Sequence, residues 1–522
     1  MVMVLMSKVL GLVRDRLLVY LFSPDTVAIF FAAFRLPDLI FQILILGSLS
    51  VAFIPVFTEY LETKNRQEAF SMARSIMVLT LGFLIFVTII VYFFINQLTY
   101  LIVPGFTIDQ RMQVASLTKV ILVGQIILAV GSFFIGMLQS FQRFIVPAFA
   151  AVCYNLGIIL GLLFLTKPLG ILGPAVGVII GACLHVLIQL PLVWSFGFRP
   201  KLTGKIFHPG VKEITGLMSI RTIGLAAEQI NETVGVLLAS LISTASVTYL
   251  TFASHLQVVP IGLFGVTIAQ AALPVLSTER ARGKLDEFKT TFLTTMHQIL
   301  FLALPSTAVL IVIRVPVVRL IFGASQFDWP STVLTGMTLA YLSIGLAAQS
   351  VSLLLVRGFY ALKDTRTPVL VSLFVVGVNI LLSITFVKFF NLPVWSLGLA
   401  FSITSILSSI LLFLNLDRRV GGFDRTAVFS PFFRMLLATA IMGFALYIPI
   451  KLLDEVIFDT TRTINLLILT GLSSVFAICV YLSLVWFLKV RELATYLNLF
   501  KKFGKFQWQI KSEELLQKPE SV

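Results

Sequence analysis

The sequence has few charged residues for its length. Only 12% of its 522 residues are Asp, Glu, Lys or Arg, whereas soluble domains carry roughly a quarter. Hydrophobic residues make up 58% of the chain, and the mean hydropathy is +1.01. So large an apolar fraction cannot be covered by a polar shell in water. The composition therefore excludes a soluble enzyme or soluble binding domain and indicates a membrane protein.

The residues that build metal and redox sites are also scarce. The chain has three cysteines, Cys153, Cys183 and Cys479, and four histidines. All three cysteines lie in apolar runs without a metal-ligand spacing, and we interpret them as buried small hydrophobic residues. The sequence contains no phosphate-binding glycine loop and no Ser/His/Asp arrangement. It therefore predicts no metal site, no cofactor and no enzymatic activity.

Apolar runs near 20 residues recur along the whole chain. Each is long enough to cross a hydrocarbon core of about 30 Å, and within that core the backbone must satisfy its own hydrogen bonds, which predicts helices. We predict an all-α integral membrane protein of about 14 transmembrane helices. The predicted segments are 3–22, 27–56, 74–97, 114–139, 145–166, 170–194, 214–241, 245–276, 290–320, 332–358, 367–389, 393–415, 430–450 and 464–488.

The net charge of +15 follows membrane topology and does not indicate nucleic-acid binding. About 17 Lys and Arg residues fall in one set of alternate loops and about five in the other. Basic loops stay in the cytoplasm, so we predict that both termini are cytoplasmic. After Lys489, three lysines alternate with aromatic residues up to Trp508, which indicates an amphipathic stretch on anionic lipid. The alternative is a plain solvated tail.

Short proline and glycine motifs recur at an offset of about 220 residues. Ile54-Pro55-Val56 ends the second segment and Leu273-Pro274-Val275 ends the eighth. This offset predicts two six-helix lobes in parallel orientation, related by a pseudo-two-fold axis along the membrane normal. The predicted divisions are an N-lobe (1–200), a C-lobe (201–425), two further helices (426–490) and a basic cytoplasmic tail (491–522).

Ionisable residues inside the predicted segments are concentrated in segments 1, 2, 7 and 8. Such residues are costly at the bilayer centre and mark cavities or ion pairs. Spacings of seven and four residues place Arg221, Glu228 and Glu232 on one helical face, which Asn231 joins. The candidates are Arg14, Asp15, Arg35, Asp38, Arg221, Glu228, Asn231, Glu232 and His255. Because the repeat equates these segments, we predict a central translocation cavity; the alternative is a salt-bridge lock between the lobes without substrate contact.

Prolines within segments 2 and 8 predict interrupted helices. Pro37 lies between Arg35 and Asp38, while Pro260 and Gly262 follow His255. Proline removes one internal hydrogen bond and frees a carbonyl, which is tolerated where neighbouring groups or cavity water replace the bond. We interpret Pro37, Pro260 and Gly262 as hinges, with a packing kink as the alternative.

A series of motifs resembles the MurJ (MviN) family of lipid II flippases. The motifs occur in family order over nearly the whole chain: 7–15 (SKVLGLVRD), 33–39 (AFRLPDL), 47–57 (GSLSVAFIPVF), 260–266 (PIGLFGV), 274–277 (PVLS), 358–361 (GFYA) and 364–369 (DTRTPV). The resemblance implies the fold of the multidrug/oligosaccharidyl-lipid/polysaccharide exporter superfamily. It also implies movement of undecaprenyl-diphosphate-linked peptidoglycan precursor from the inner to the outer leaflet of the bacterial inner membrane by alternating access.

The resemblance and the charges together give each candidate a role. The precursor is anionic, so Arg14, Arg35 and Arg221 are expected to bind it through charge-assisted hydrogen bonds, with Asn231 and His255 completing the site. The cavity acids Asp15, Asp38, Glu228 and Glu232 are candidates for coupling to protons or sodium. The expected partners are the lipid-linked precursor and membrane lipids, and the expected state is a monomer.

The chain departs from the family pattern at six positions. Lys8 and His255 stand where arginine is expected, Phe41 and Gln42 where basic residues are expected, and Leu46 and Ala28 where acids are expected. A protonated His255 can still carry positive charge, which predicts pH-dependent binding. Three other functions stay open on these residues: a cation-coupled drug or metabolite antiporter, a flippase for another lipid-linked saccharide, and a scaffold without transport. Membrane potential, protons and sodium all stay open as the energy source.

Overall fold

The computed structural model describes residues 2–46, 53–199, 208–323, 325–456 and 462–496. Regular structure in these ranges is entirely helical, and no strand occurs in them. The first ten helices are α1 (Val2–Leu21), α2 (Pro24–Phe41), α3 (Ile54–Thr63), α4 (Arg66–Phe93), α5 (Ile95–Ile102), α6 (Ile108–Ser140), α7 (Ile145–Leu160), α8 (Thr166–Leu169), α9 (Leu172–Leu187) and α10 (Leu190–Ser195).

The remaining helices start at Pro209 and include most of the long spans of the second half of the chain. They are α11 (Pro209–Ile242), α12 (Ser246–Pro260), α13 (Thr267–Ala281), α14 (Leu285–Val312), α15 (Arg314–Phe322), α16 (Trp329–Ile344), α17 (Leu346–Ala361), α18 (Arg366–Ile384), α19 (Trp395–Arg419), α20 (Arg425–Val456) and α21 (Thr463–Phe487).

The prediction of an all-α membrane fold is confirmed. Among the described residues, 12 helical spans are long and apolar enough to cross a membrane, and the pair α16–α17, bent by 43°, makes 13. Helix α1 covers the other predicted segment. Its 20 residues rise about 30 Å, but four charged side chains within it keep it out of the apolar set.

The backbone repeats its irregular positions at the predicted offset. In the ranges given above, four π-helical segments fall into two pairs, Gln42–Leu46 with Ile261–Val266 and Gly161–Leu165 with Thr385–Phe389. Left-handed backbone occurs at Gln142 (φ 57°) and again 221 residues later at Lys363 (φ 59°). Gly170 and Asn391 are a second left-handed pair with the same spacing. The recurrence supports a six-helix repeat, while the division into lobes at the stated boundaries stays a prediction.

The described helices form two compact units. Unit 1 comprises Met1–Val259, Val317–Gly345 and Asp364–Ser408, and unit 2 comprises Pro260–Pro316, Leu346–Lys363 and Ser409–Val522. In unit 1, glycines let α7 and α9 approach so closely that a Cβ on Gly157 would overlap the backbone of Gly181. All the polar contacts of the candidate site lie within unit 1.

Unit 2 packs α14 against the two helices that lie outside the repeat. Tyr481 of α21 donates to the carbonyl of Phe301 at 2.9 Å. Tyr496, near the end of the described chain, donates to the carbonyl of Gln298 at 3.2 Å. The basic and aromatic residues of the predicted amphipathic tail, 500–508, lie outside the described residues.

The cysteines differ from the sequence interpretation. Cys153 and Cys183 are half-buried, and Cys479 is exposed on α21. A small apolar side chain has no reason to be buried when the surrounding solvent is lipid, so exposure of a cysteine on a membrane helix carries no cost. The prediction of three buried cysteines is therefore wrong. Among the described residues, no three His, Cys, Asp or Glu side chains are grouped as metal ligands would be.

Candidate functional site

A buried carboxylate on α1 is the centre of the polar contacts. Asp15 is 1% exposed and accepts from Arg14 Nε at 3.0 Å and from Arg14 Nη2 at 2.8 Å. Its second oxygen lies 2.7 Å from Nδ1 of His255 on α12, where the Nδ1–H donates. A buried charge is tolerated when it is paired and hydrogen-bonded. The structure therefore brings three predicted site residues together and ties α1 to α12.

Arg14 also contacts α7 through a residue that the sequence reasoning missed. Its Nη1 donates to Oδ1 of Asn155 at 3.5 Å. Asn155 Nδ2 in turn donates to the carbonyl and the hydroxyl of Ser7 at 3.3 and 3.2 Å. The available signal was a lone asparagine in the otherwise apolar fifth segment. These bonds leave the guanidinium of Arg14 with fixed acceptors on two sides.

A second cationic group pairs α2 with α11. Arg35 Nη1 donates to Oε2 of Glu232 at 2.9 Å. The side chains are 22% and 50% exposed, so this pair is not sealed inside the protein. Both residues were predicted for the site, and the pair is open to exchange with another anion.

Asp38 has a neutral partner. Gln125 of α6, which is 4% exposed, donates to Oδ1 of Asp38 through Nε2 at 2.9 Å. Its Oε1 is buried without a hydrogen bond among the described residues. The sequence reasoning did not select Gln125, although a glutamine within an apolar run was a visible signal.

The other polar residues on this face of α11 have fewer polar partners among the described residues. Glu228 is exposed and has no ion-pair partner among the described residues. Asn231 Oδ1 is buried with no hydrogen bond among them. Arg221 lies within α11, but its side chain falls outside the described residues, so its predicted role stays a prediction.

The predicted hinges lie at or near changes of helix type. Pro37 lies inside α2, which passes into the π segment Gln42–Leu46. Pro260 is the last residue of α12, and Gly262 lies in the next π segment, Ile261–Val266. The π segment therefore begins directly after Pro260 but five residues after Pro37. Such π segments are frequent at functional sites, and the hinge role stays a prediction.

Two of the positions that depart from the family pattern are buried. Phe41 belongs to a hydrophobic cluster with Phe53 and Phe57, and Ala28 is fully buried. His255 keeps the contact with Asp15 described above. The site therefore contains two paired arginines within helices of a membrane protein, Arg14 with Asp15 and Arg35 with Glu232. Chemically, this arrangement suits the binding of an anion that competes with the resident carboxylates.

Comparison with known proteins gives consistent matches. The profile of the family described as lipid II flippase MurJ matches residues 18–483. A protein of Vibrio cholerae named probable lipid II flippase MurJ is 30% identical over 432 residues, which cover 79% of this chain and 81% of that protein. The lipid II flippase MurJ of Burkholderia cenocepacia is 26% identical over 449 residues, covering 84% and 86% of the two chains.

Solved structures show the same fold. A lipid II flippase MurJ in an inward closed conformation superposes with a TM-score of 0.78 at 24% identity, covering 94% of this chain and 98% of that chain. An inward-facing multidrug resistance MATE family transporter of the MOP superfamily gives a TM-score of 0.68 at 16% identity, covering 80% and 94%. At these identities the likeness concerns the fold alone.

Proposed function

Because the chain belongs to the lipid II flippase MurJ family, we propose that it is a flippase for lipid-linked peptidoglycan precursor. It moves undecaprenyl-diphosphate-linked lipid II from the inner to the outer leaflet by alternating access. The observation that carries this proposal is the pair of arginines within the membrane helices, Arg14 beside Asp15 and Arg35 beside Glu232. The chain shares its fold with solved transporter structures.

The two carboxylates that pair with the arginines, Glu232 and Asp15, differ in exposure and therefore have different proposed roles. Glu232 is half exposed, so a diphosphate or a peptide carboxylate of the precursor can replace it on Arg35. Arginine suits this exchange because its planar guanidinium binds phosphate and carboxylate groups in the same bidentate geometry. Asp15 is buried between Arg14 and His255 and holds α1 and α12 in register. In this proposal Arg35 makes the first contact with the anion, and Asp15 positions Arg14 and His255.

The proposed setting is the bacterial inner membrane. The protein is a multi-pass membrane protein that transports and does not catalyse a covalent step. Both termini face the cytoplasm, as the distribution of basic loops predicts. The chain acts as a monomer, and the energy source is membrane potential, protons or sodium.

The deciding experiment replaces the native flippase. A strain depleted of its own lipid II flippase expresses this chain, and the measurement is the fraction of lipid II accessible at the outer leaflet. We expect the parent chain to restore access and Arg35→Gln to reduce it. Arg280→Gln is the matched control, since Arg280 is exposed at the end of α13 and remote in sequence from the site. Stable insertion of the parent without restored access would contradict the function.

A second candidate function rests on Glu228. An exposed acid without an ion-pair partner among the described residues is suited to bind a proton or an organic cation. The chain would then be a cation-coupled antiporter, on the fold that it shares with the multidrug resistance MATE family transporter. Cation efflux from everted vesicles, lost in Glu228→Gln while lipid II access is unaffected, distinguishes it. If the chain restores outer-leaflet access only of another lipid-linked saccharide, that saccharide is its substrate in place of lipid II.

A further inference from the structure

One end of unit 1 carries a set of contacts that the site does not use. The α1–α2 turn, the α5–α6 turn, the α11–α12 turn and the α15–α16 turn all lie at chain positions that the proposed topology places outside. Each contact joins a residue of the first repeat to a residue of the second. The partners are separated by 134 to 305 residues in sequence.

The strongest of these contacts involves Arg16, which directly follows Asp15 on α1. Its Nη1 donates to the carbonyls of Leu320 at 2.6 Å and Ile321 at 3.1 Å. These carbonyls belong to the last turn of α15, where the final four carbonyls have no donor within the helix. The helix dipole also places partial negative charge there. A guanidinium at this position therefore caps α15 from another helix.

Two hydroxyl groups make similar bonds to backbone carbonyls. Ser325 Oγ donates to the carbonyl of Tyr20 at 3.1 Å, just beyond Arg16 on α1. Thr248 Oγ1 donates to the carbonyl of Pro24 at 2.7 Å, at the start of α2. Because the acceptors are main-chain oxygens, these bonds do not depend on opposing carboxylates.

The α5–α6 turn makes the closest approach. The backbone N–H of Gly105 donates to the hydroxyl oxygen of Ser240 at 3.4 Å. A Cβ on Gly105 would overlap the carbonyl of Ser240. Thr244 Oγ1 donates to Oε1 of Gln110 at 3.1 Å, two residues beyond the start of α6. Glycine is thus required at position 105 for the two backbones to meet.

We propose that these contacts form an outer lock, defined by Arg16, Gly105, Thr244, Thr248 and Ser325, which holds the outer ends of the helices together and releases when the precursor leaves toward the outer leaflet. Arg16 is the principal positioning residue, since charge-assisted hydrogen bonds are roughly twice as strong as neutral ones. The inference rests on the proposed transport function for its purpose, and its test requires no substrate.

Helix α1 links this lock to the candidate site. Asp15 holds α12 through His255, and the next residue, Arg16, holds α15. A movement of α1 that lengthens the Asp15–His255 contact also displaces the guanidinium of Arg16. Occupation of the site and release of the lock are therefore mechanically coupled through one helix.

The test measures opening of the outer end directly. In a chain whose native cysteines are replaced by serine, Ala28→Cys provides a fully buried reporter thiol on α2. Intact cells are treated with a membrane-impermeant thiol reagent, and the labelling rate is measured. We expect Arg16→Gln to raise the rate roughly 3- to 10-fold, because the neutral amide loses the charge-assisted hydrogen bonds to the carbonyls of Leu320 and Ile321. We expect Arg16→Lys, which keeps the charge, to give a smaller rise.

The control is Arg111→Gln. Arg111 also lies at the outer end but stacks over Tyr100 at 4.9 Å and takes no part in the lock. Its labelling rate should equal that of the parent. Equal labelling of Arg16→Gln and the parent, with both inserted to the same level, would overturn the proposal for Arg16.

A second variant tests the lock independently of charge. Gly105→Ala forces apart the α5–α6 turn and Ser240, and should raise labelling of the reporter thiol, whereas Gly82→Ala, with no atom within 4 Å of its added Cβ, should not. If neither Arg16→Gln nor Gly105→Ala changes labelling, the outer lock does not exist. If both variants raise the labelling rate but the parent chain does not restore outer-leaflet access of lipid II, the outer lock is supported and lipid II is not the substrate.

Discussion

Glu232→Gln isolates the role of the resident carboxylate at Arg35. In the parent, an incoming anion must displace Glu232, whose Oε2 lies 2.9 Å from Arg35 Nη1. With side chains 22% and 50% exposed, the pair belongs to the solvent-accessible class worth about 0.2–1 kcal/mol. Its removal should therefore tighten binding of an anionic head group by about 1.4- to 5-fold. The neutral amide keeps the size of the side chain.

The assay is binding of undecaprenyl diphosphate to the purified protein in nanodiscs. Glu228→Gln is the matched control, since it lies one helical turn earlier on α11, is also exposed, and has no ion-pair partner among the described residues. Removal of either acid reduces general repulsion of the anion. The excess effect of Glu232→Gln over Glu228→Gln measures the exchange and should shrink as ionic strength rises. Equal effects, or weaker binding by Glu232→Gln, would refute the displacement reasoning.

Three further changes test the packing and the polar framework. Asp15→Asn leaves Arg14 and His255 without the buried carboxylate that they share, so it should destabilise the protein by about 3–5 kcal/mol and lower its melting temperature in detergent. Gly157→Ala introduces a Cβ that overlaps the backbone of α9, at a cost of about 1–3 kcal/mol, and unchanged melting relative to Gly82→Ala would contradict the close packing. Asp328→Ala removes the N-cap of α16, whose hydrogen bonds from Ser331 hold the pKa of this carboxyl below its ordinary value of 3.8. Because folding lowers this pKa, the stabilisation by the cap is complete above pH 3.8 and is lost as the pH falls through the folded-state pKa. The free energy of unfolding of the parent should therefore exceed that of Asp328→Ala by about 0.5–2 kcal/mol at neutral pH. In strong acid the two free energies of unfolding should be equal.

The charged residues of the site could be selected from the sequence because a bilayer penalises them so heavily. Any Arg or Asp inside an apolar run requires a partner or water, and Arg14, Asp15 and Arg35 were recognised on that ground. The neutral partners carry no such penalty and were not recognised. Asn155 and Gln125 each lie in an apolar run, but only the folded chain shows that they bond to Arg14 and Asp38.

Pairing was the second limit of sequence reasoning. Periodicity placed Glu228 and Glu232 on one face of α11, and the two residues are equivalent in that pattern. The structure separates them, since Glu232 pairs with Arg35 while Glu228 is exposed without such a partner among the described residues. Arg16 shows the same limit. Its acceptors are backbone carbonyls of α15, 304 and 305 residues later in the chain, and carbonyls leave no signature in a sequence.

The sequence by itself indicated that the chain lies in a lipid bilayer, that it is helical and that it repeats after six helices. It also showed which charged residues lie inside apolar segments and therefore need partners or water. These properties follow from local composition and spacing, because a bilayer acts on each segment separately. Only the tertiary structure decided which acid pairs with which cation, where helices pass into π segments, and how the helix-connecting turns at one end of unit 1 are joined. Those outcomes depend on distances between residues far apart in the chain, which arise only when the helices pack together.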